Sequence, residues 1–188
     1  MPFNIETFKA EQNSKNGLMR NNKFRVMITP PPGLVDSSET LRSHEYWCSS
    51  VNLPGYQFMT HDYRRYTYGS NQARPFAPNF EPAQLTIQSD GDGENLKFWH
   101  DWMSFIMPHD TFNGFNEDNA YMLEYRENYV TDVNIDYYGE DGFKINTVVL
   151  KEAFPVNINS IPMTWSEQNG FVSFAVFLDF VDWYYTKN

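Results

Sequence analysis

The sequence predicts a mainly β, antiparallel protein of about eight strands with one principal α-helix. Three observations carry that expectation. Aromatic residues make up 18% of the chain, mostly Phe and Tyr, which favour strands and interfaces. The 10 Gly and 11 Pro are scattered as turn punctuation between β-prone runs. Residues 171–185 read FVSFAVFLDFVDWYY, with neither helix period nor breaker. As a strand, this run points Val172, Phe174, Val176, Leu178 and Phe180 to one face and Phe171, Ala175, Phe177, Val181 and Trp183 to the other. At about 3.3 Å per residue it would span roughly 45 Å, against about 5–6 residues for an ordinary strand. A strand so long and so apolar on two faces needs cover on the second, from a helix or from another copy of the protein.

Taken in order, residues 1–22 are polar and rich in Asn, Lys and Gln. A short helix is expected around residues 5–10, capped by Asn4, with Ile5 and Phe8 on one side. The rest of this segment reads as an arm, either frayed or docking on a neighbour through Phe3, Ile5 and Phe8. Residues 23–188 form one domain. Its first strand is 23–28 (KFRVMI), stopped by Pro30-Pro31-Pro32-Gly33. A polar loop at 35–44 leads to a second strand at 45–51 (EYWCSSV), and Leu53-Pro54-Gly55 turns the chain. Residues 56–68 are β-prone but polar. Residues 69–82 (GSNQARPFAPNFEP) hold three prolines, so a long loop is expected around 63–82. Phe76 and Phe80 argue that burial orders it. A further strand is expected at 83–89 (AQLTIQS).

Asp90-Gly91-Asp92-Gly93 resembles the start of an acidic cation loop, but Glu94, Asn95 and Leu96 run straight into a helix, so later ligand positions are missing. The segment reads as a turn and a helix start, with Asp92 as cap and Glu94 in the first turn. The helix is expected over 94–107. Leu96, Trp99, Trp102, Met103 and Ile106 form one apolar stripe suited to packing on a sheet. Pro108 ends it, and residues 108–127 read as an irregular insertion. The clearest hairpin follows. In 129–137 the odd positions are Tyr, Thr, Val, Ile and Tyr, while the even ones include Asp132, Asn134 and Asp136. Gly139-Glu140-Asp141-Gly142 makes the turn, and the return strand, 143–152 (FKINTVVLKE), is broken by Phe154-Pro155. A short strand at 161–166 (IPMTWS) and a turn at 167–170 precede the final run.

At 188 residues with a formal net charge of −10, the chain has the size of one domain and lacks the basic footprint needed to grip nucleic acid through phosphates. That charge leaves room for nucleic acid sliding past. Cys48 is the only cysteine, so there is no internal disulfide framework, as in a reducing cytoplasm. Its apolar strand setting points to a buried inert thiol. The N-terminal stretch lacks an apolar signal core, and no run approaches a membrane span, so no membrane partner is expected.

The four histidines, His44, His61, His100 and His109, form no HExxH or other metal-spaced pair, and one cysteine cannot build a thiolate zinc site. His61-Asp62 and His109-Asp110 are adjacent in sequence and point different ways in an extended chain. No G-x-S-x-G, Walker loop or dinucleotide fingerprint is present. No enzyme activity, metal or cofactor is expected. Tyr63, Tyr66 and Tyr68 beside Arg64 and Arg65 form an aromatic-basic patch. It fits equally a carbohydrate-binding β-sandwich or a protein interface.

The order of elements separates these readings. Glu152 to Tyr185 holds an aromatic-Pro step at Phe154-Pro155, a short segment carrying Trp165, and a long alternating run ending in aromatics. That block resembles the C-terminal end of the tail tube proteins of contractile-tailed phages. YWCSSVNLPGYQF, with Leu53-Pro54-Gly55, is similar to a strand of the same family. So are the helix carrying Phe98 and Trp102 after an Asp/Gly turn and the arm before Phe24-Arg25-Val26. The likeness runs collinearly through most of the chain. Residues 30–44 and 108–125 are longer than the family core requires, which would mark a specialised paralogue at the baseplate or tail end.

The resemblance implies a barrel or sandwich with one flanking helix, shared with the ring protein of type VI secretion systems. It implies six copies in a ring, a continuous inner barrel, and rings stacked inside a contractile sheath and joined to a baseplate. DNA or a tape-measure protein would pass through without specific binding, and the site of action would be the virion, after assembly in the host cytoplasm. An inner barrel of joined strands removes exposed sheet edges, and an acidic lumen would keep phosphates from sticking. On this reading Asp132, Asn134, Asp136, Lys144 and Asn146 face the lumen. Tyr63, Arg64, Arg65, Tyr66, Tyr68, Arg74, Phe76 and Phe80 reach the adjacent ring, so that deleting residues 69–77 leaves rings without stacking. The alternatives are a tube protein of a type VI-like injection system and, more remotely, the carbohydrate-binding sandwich.

Overall fold

The computed structural model describes residues 4–14, 19–34, 47–64, 69–108, 122–166 and 170–187. Among them are helix α1 (Ile5–Ser14), strands β1 (Phe24–Ile28), β2 (Cys48–Asn52), β3 (Tyr56–Tyr63), β4 (Gln72–Phe80) and β5 (Ala83–Gln88), and helices α2 (Glu94–Ile106) and α3 (Arg126–Tyr129). Strands β6 (Thr131–Tyr138), β7 (Lys144–Ile158), β8 (Ser173–Asp179) and β9 (Asp182–Lys187) complete the set. The mainly β, antiparallel class with one principal helix is therefore as the sequence predicts.

All pairings are antiparallel. The main sheet runs β1-β6-β7-β8-β5-β2, with β9 also paired to β7, and β3 and β4 form a separate two-stranded ribbon. The first half of β7 lies between β6 and β9, and its second half pairs with β8. The two halves of the sheet close over a single core. Val26, Val133, Ile135, Val148 and Leu150 from one half meet Leu85, Ile87, Phe174, Val176 and Leu178 from the other, and Phe98, Trp99 and Trp102 of α2 join the same cluster.

The two long strands bend together. From Asn146 to Leu150 the even residues of β7 face the core; beyond the bend Ala153 and Pro155 do. The switch needs one extra residue, and a register shift between Thr131 and Val133 supplies it: Thr131 pairs with Ala153 and Val133 with Leu150. Glu152 sits at this bulge with φ 50°, left-handed backbone usually given to glycine. Opposite, Val181 N–H donates to Lys151 O at 3.1 Å. There the β8 alternation of buried Phe174, Val176, Leu178 and Phe180 gives way to Trp183, which packs at the core's rim.

This corrects the reading of residues 171–185 as one straight strand. They form two strands along one edge of β7, broken at Phe180-Val181, and the face turned inward changes at the break. Phe154-Pro155 does not end the return strand, which continues to Ile158. Residues 161–166 are not a strand.

Helix α2 ends at Ile106 and lies against β7. Its inward residues are Asn95, Phe98, Trp99 and Trp102, with Leu96 and Ile106 at the margin; Phe98 rather than Met103 completes the stripe. Trp99 and Trp102 stack at 5.5 Å and 17°, and the Trp102 indole N–H donates to the Tyr129 carbonyl at 2.9 Å. The cap is not Asp92. Gly93 takes the N-cap with φ 73°, and Asp90 Oδ1 accepts the Asn95 N–H at 3.3 Å. The left-handed backbone at Gly93 leaves Asp92 in the turn before the helix.

Candidate assembly surface

The β3–β4 ribbon stands apart from the main sheet, and every residue of β3 is exposed. A long loop was expected around 63–82; residues 72–80 instead form a nine-residue strand despite Pro75 and Pro78. The ribbon geometry explains why. Pro75 lies opposite Thr60 and Pro78 opposite Phe58, with a register shift between Met59 and Thr60 that leaves Phe76 as the extra residue. The shift gives the two prolines the same parity, so both missing N–H groups fall on the outward edge of β4, where no ladder bond is lost. The outward edge of β3 carries no proline.

An aromatic chain anchors the base. Tyr56 meets Phe58 at 4.9 Å and Phe80 at 5.4 Å, and Phe80 lies 5.9 Å from the buried Phe180. Toward the tip the order is polar: Arg64 Nε donates to Asn71 Oδ1, and Asn71 Nδ2 donates to Asp62 Oδ2 at 3.2 Å. The Arg74 guanidinium sits 4.6 Å over the Tyr63 ring. Phe58, Met59, Tyr63 and Phe76 are all exposed, Phe76 at 68%. A two-stranded hairpin is marginal alone in water, and one that also exposes this much aromatic surface has the composition of an interface. Of the residues expected to contact a neighbouring ring, Tyr63, Arg64, Arg74, Phe76 and Phe80 fall on this ribbon. Arg65, Tyr66 and Tyr68 lie outside the described residues.

A second exposed apolar group lies on the β7–β8 connection: Met163, Phe171 and Trp165, the last at 104% exposure. Sequence reasoning places Trp165 on a short strand at 161–166 and takes it as a family marker; no strand forms there, and the ring is left exposed. In the N-terminal arm, α1 extends to Ser14, and Glu6 N–H donates to Asn4 Oδ1 at 3.0 Å as the capping pattern requires. Ile5 and Phe8 are exposed, and Phe3 lies outside the described residues.

The residues expected to line a lumen fall on the outward face of the β6–β7 hairpin, with one exception. Asp136 is buried at 3%, pairs with Lys144 at 2.9 Å and accepts from Thr147 Oγ1 at 2.6 Å. Asp132 pairs with Lys151, and that bond holds the Lys151 ammonium above its ordinary pKa. Asn134 lies opposite Val149 on the same face. Asn146, however, lies opposite Tyr137 and shares the inward face with Val148 and Leu150. A bulge between Tyr137 and Tyr138 causes the difference, because it places Lys144, but not Asn146, beside Asp136. Register also brings Arg25 beside Asp136 and Asp182 beside Lys151. Three basic and three acidic groups thus share this face, which is charge-balanced rather than acidic.

Among the described residues no three His, Cys, Asp or Glu side chains are grouped to hold a metal ion, and no helix is long and apolar enough to cross a membrane. His61 lies on the ribbon opposite Arg74 and His100 is exposed on α2; His44 and His109 lie outside the described residues. Burial pushes the Cys48 thiol up to about 12, so it stays protonated at neutral pH.

Comparison with known proteins agrees with this architecture. No curated protein matches the chain significantly in sequence. Among solved structures, a chain of the PVC extracellular contractile injection system, sheath-tube complex in the extended state, aligns with TM-score 0.59 and 14% identity, covering 99% of each chain. A chain of the anti-feeding prophage baseplate aligns with TM-score 0.59 and 11% identity, over 91% of this chain and 97% of that one. A chain of the anti-feeding prophage tube-terminating cap gives TM-score 0.59 and 16% identity, over 91% and 92%. These likenesses establish the fold. A family described as phage tail tube protein matches residues 19–186. With nearly the whole domain inside that match, the chain belongs to the phage tail tube protein family.

Proposed function

We propose that this chain is the repeating subunit of a tail tube, in which six copies close a ring and rings stack into a conduit for DNA or a tape-measure protein inside a contractile sheath. The β3–β4 ribbon is the observation that carries the reading. It is ordered by its own strand pairing yet leaves Tyr56, Phe58, Tyr63 and Phe76 between 44% and 68% exposed, so its stable state is one in which a neighbour covers it. In this proposal the ribbon reaches the copy in the next ring, and the unpaired edges of β1, β2 and β9 close the ring sideways. The outward face of the β6–β7 hairpin lines the lumen. Its paired charges present no net attraction to phosphates, which serves passage without binding. Sheath and baseplate proteins are the remaining partners, with Met163, Trp165 and Phe171 as a contact surface.

Equal fold similarity to chains from a sheath-tube complex, a baseplate and a cap supports the tube fold at several levels of such a machine. A single-ring role at the baseplate or tail end is the second reading. Negative-stain microscopy of the purified chain separates the two: tubes fit the repeating subunit, isolated rings the second reading, and a monomer neither. Replacing residues 60–76 by Asn-Gly, which joins the paired Met59 and Ala77 through a two-residue turn, leaves rings and removes tubes. Tubes of normal length from that variant would sink the assignment of the ribbon.

A further inference from the structure

We propose that the ribbon is a basic clamp, and that its occupant is the acidic body of a second copy of this chain, so that ring stacking is electrostatically steered. The inference rests on the ribbon being the stacking element. Its basis is how charge divides along the chain. Residues 56–80 carry Arg64, Arg65 and Arg74 against Asp62 alone, or +2; with the whole chain at −10, the remainder carries −12. The ribbon, a sheet separate from the main one among the described residues, thus carries positive charge on an acidic protein, as does the stretch 15–25 with Lys15, Arg20, Lys23 and Arg25.

The two described arginines are held in place. Asn71, itself bonded to Asp62, accepts from Arg64, and Arg74 rests on the Tyr63 ring. Both guanidinium groups remain exposed. A guanidinium fixed in this way loses little further freedom on meeting a carboxylate, and its planar fork suits bidentate pairing. The −12 body supplies carboxylates at the high local density that a stack of identical copies guarantees. Nucleic acid is the less favoured occupant. Phosphate affinity grows with the number of basic contacts, whereas residues 56–80 hold only three arginines on a body that repels polyanions. Because the two proline positions block strand addition along β4, a strand of the second copy has the outward edge of β3 available.

The test uses the full chain assembled over a range of NaCl, with tube length read by microscopy and the critical concentration by light scattering. Between about 50 and 500 mM salt, where the screening length falls from more than about 10 Å to less than about 8 Å, the critical concentration should rise about tenfold. The double variant Arg64→Glu, Arg74→Glu should give rings without tubes at any salt, the rings reporting that it folds. Arg64→Lys with Arg74→Lys should retain salt-sensitive tubes. If salt and charge reversal change nothing while the ribbon-shortened chain still stops at rings, the electrostatic inference falls and the ribbon assignment stands. If the ribbon-shortened chain also forms tubes, both fall. Binding of a fluorescent DNA duplex that disappears on charge reversal would overturn the proposal in favour of nucleic acid.

Discussion

Replacing Trp102 by Phe removes one hydrogen bond from the centre of the core while keeping an aromatic ring beside Trp99. The indole N–H reaches the Tyr129 carbonyl at 2.9 Å, and Trp102 is fully buried. In the variant that carbonyl loses its donor in a site closed to water, at about 1–3 kcal/mol. The smaller ring gives up part of its apolar burial, about 1 kcal/mol more. The sum, about 2–4 kcal/mol, is a large share of the roughly 5–15 kcal/mol that holds a domain folded. Urea unfolding followed by circular dichroism measures it. The comparison belongs in the ribbon-shortened background, so that stacking does not add to apparent stability. With a slope of about 2 kcal/mol per molar urea, the midpoint should fall by about 1–2 M. A loss below about 0.5 kcal/mol would mean that the carbonyl finds another donor and that α2 is not pinned to the Tyr129 turn by this bond.

Two other positions test the core and the bend. The Tyr137 hydroxyl is buried with no hydrogen-bond partner among the described residues, and burial, then the nearby Tyr185, raises its pKa to about 12. Because the unfolded phenol ionises near 10, stability is fully present below pH 10 and is lost as pH rises toward 12; Tyr137→Phe should flatten that loss in alkaline unfolding curves and leave neutral-pH stability unchanged or higher. Glu152 occupies left-handed backbone at φ 50° and pairs with Arg126 at 3.1 Å across an exposed surface. Glu152→Val should cost about 1–2 kcal/mol in chemical denaturation, whereas Glu152→Gly should stay within about 0.5 kcal/mol, since the exposed ion pair contributes little. Equal losses in the two would show that the ion pair, not the backbone, matters there.

Local pattern was enough to find most elements. The alternation of Thr131, Val133, Ile135 and Tyr137 marks β6, the Gly139–Gly142 segment marks its turn, and the tryptophan spacing marks α2. Each signal is short-range: a side chain's partners lie two, three or four residues away. The candidate surface was legible only in composition. Tyr63, Arg64, Arg74 and Phe76 stood out as an aromatic-basic group, but the prolines hid the strand that carries some of them. Whether a proline is tolerated depends on which edge of a ladder it occupies, and that edge is set by a distant partner.

By itself, then, the sequence determined the class, the hairpin, the helix and the charge. Which way the faces turn was decided by tertiary structure. Taken as one straight strand, the final run is apolar on both sides. Paired with a β7 that bulges at Glu152, it breaks at Phe180-Val181, and the inward face changes there. The same kind of bulge puts Lys144 beside Asp136 and sends Asn146 inward. One inserted residue reverses every side chain beyond it, and where the insertion falls is fixed by pairing across the sheet, not by neighbours along the chain.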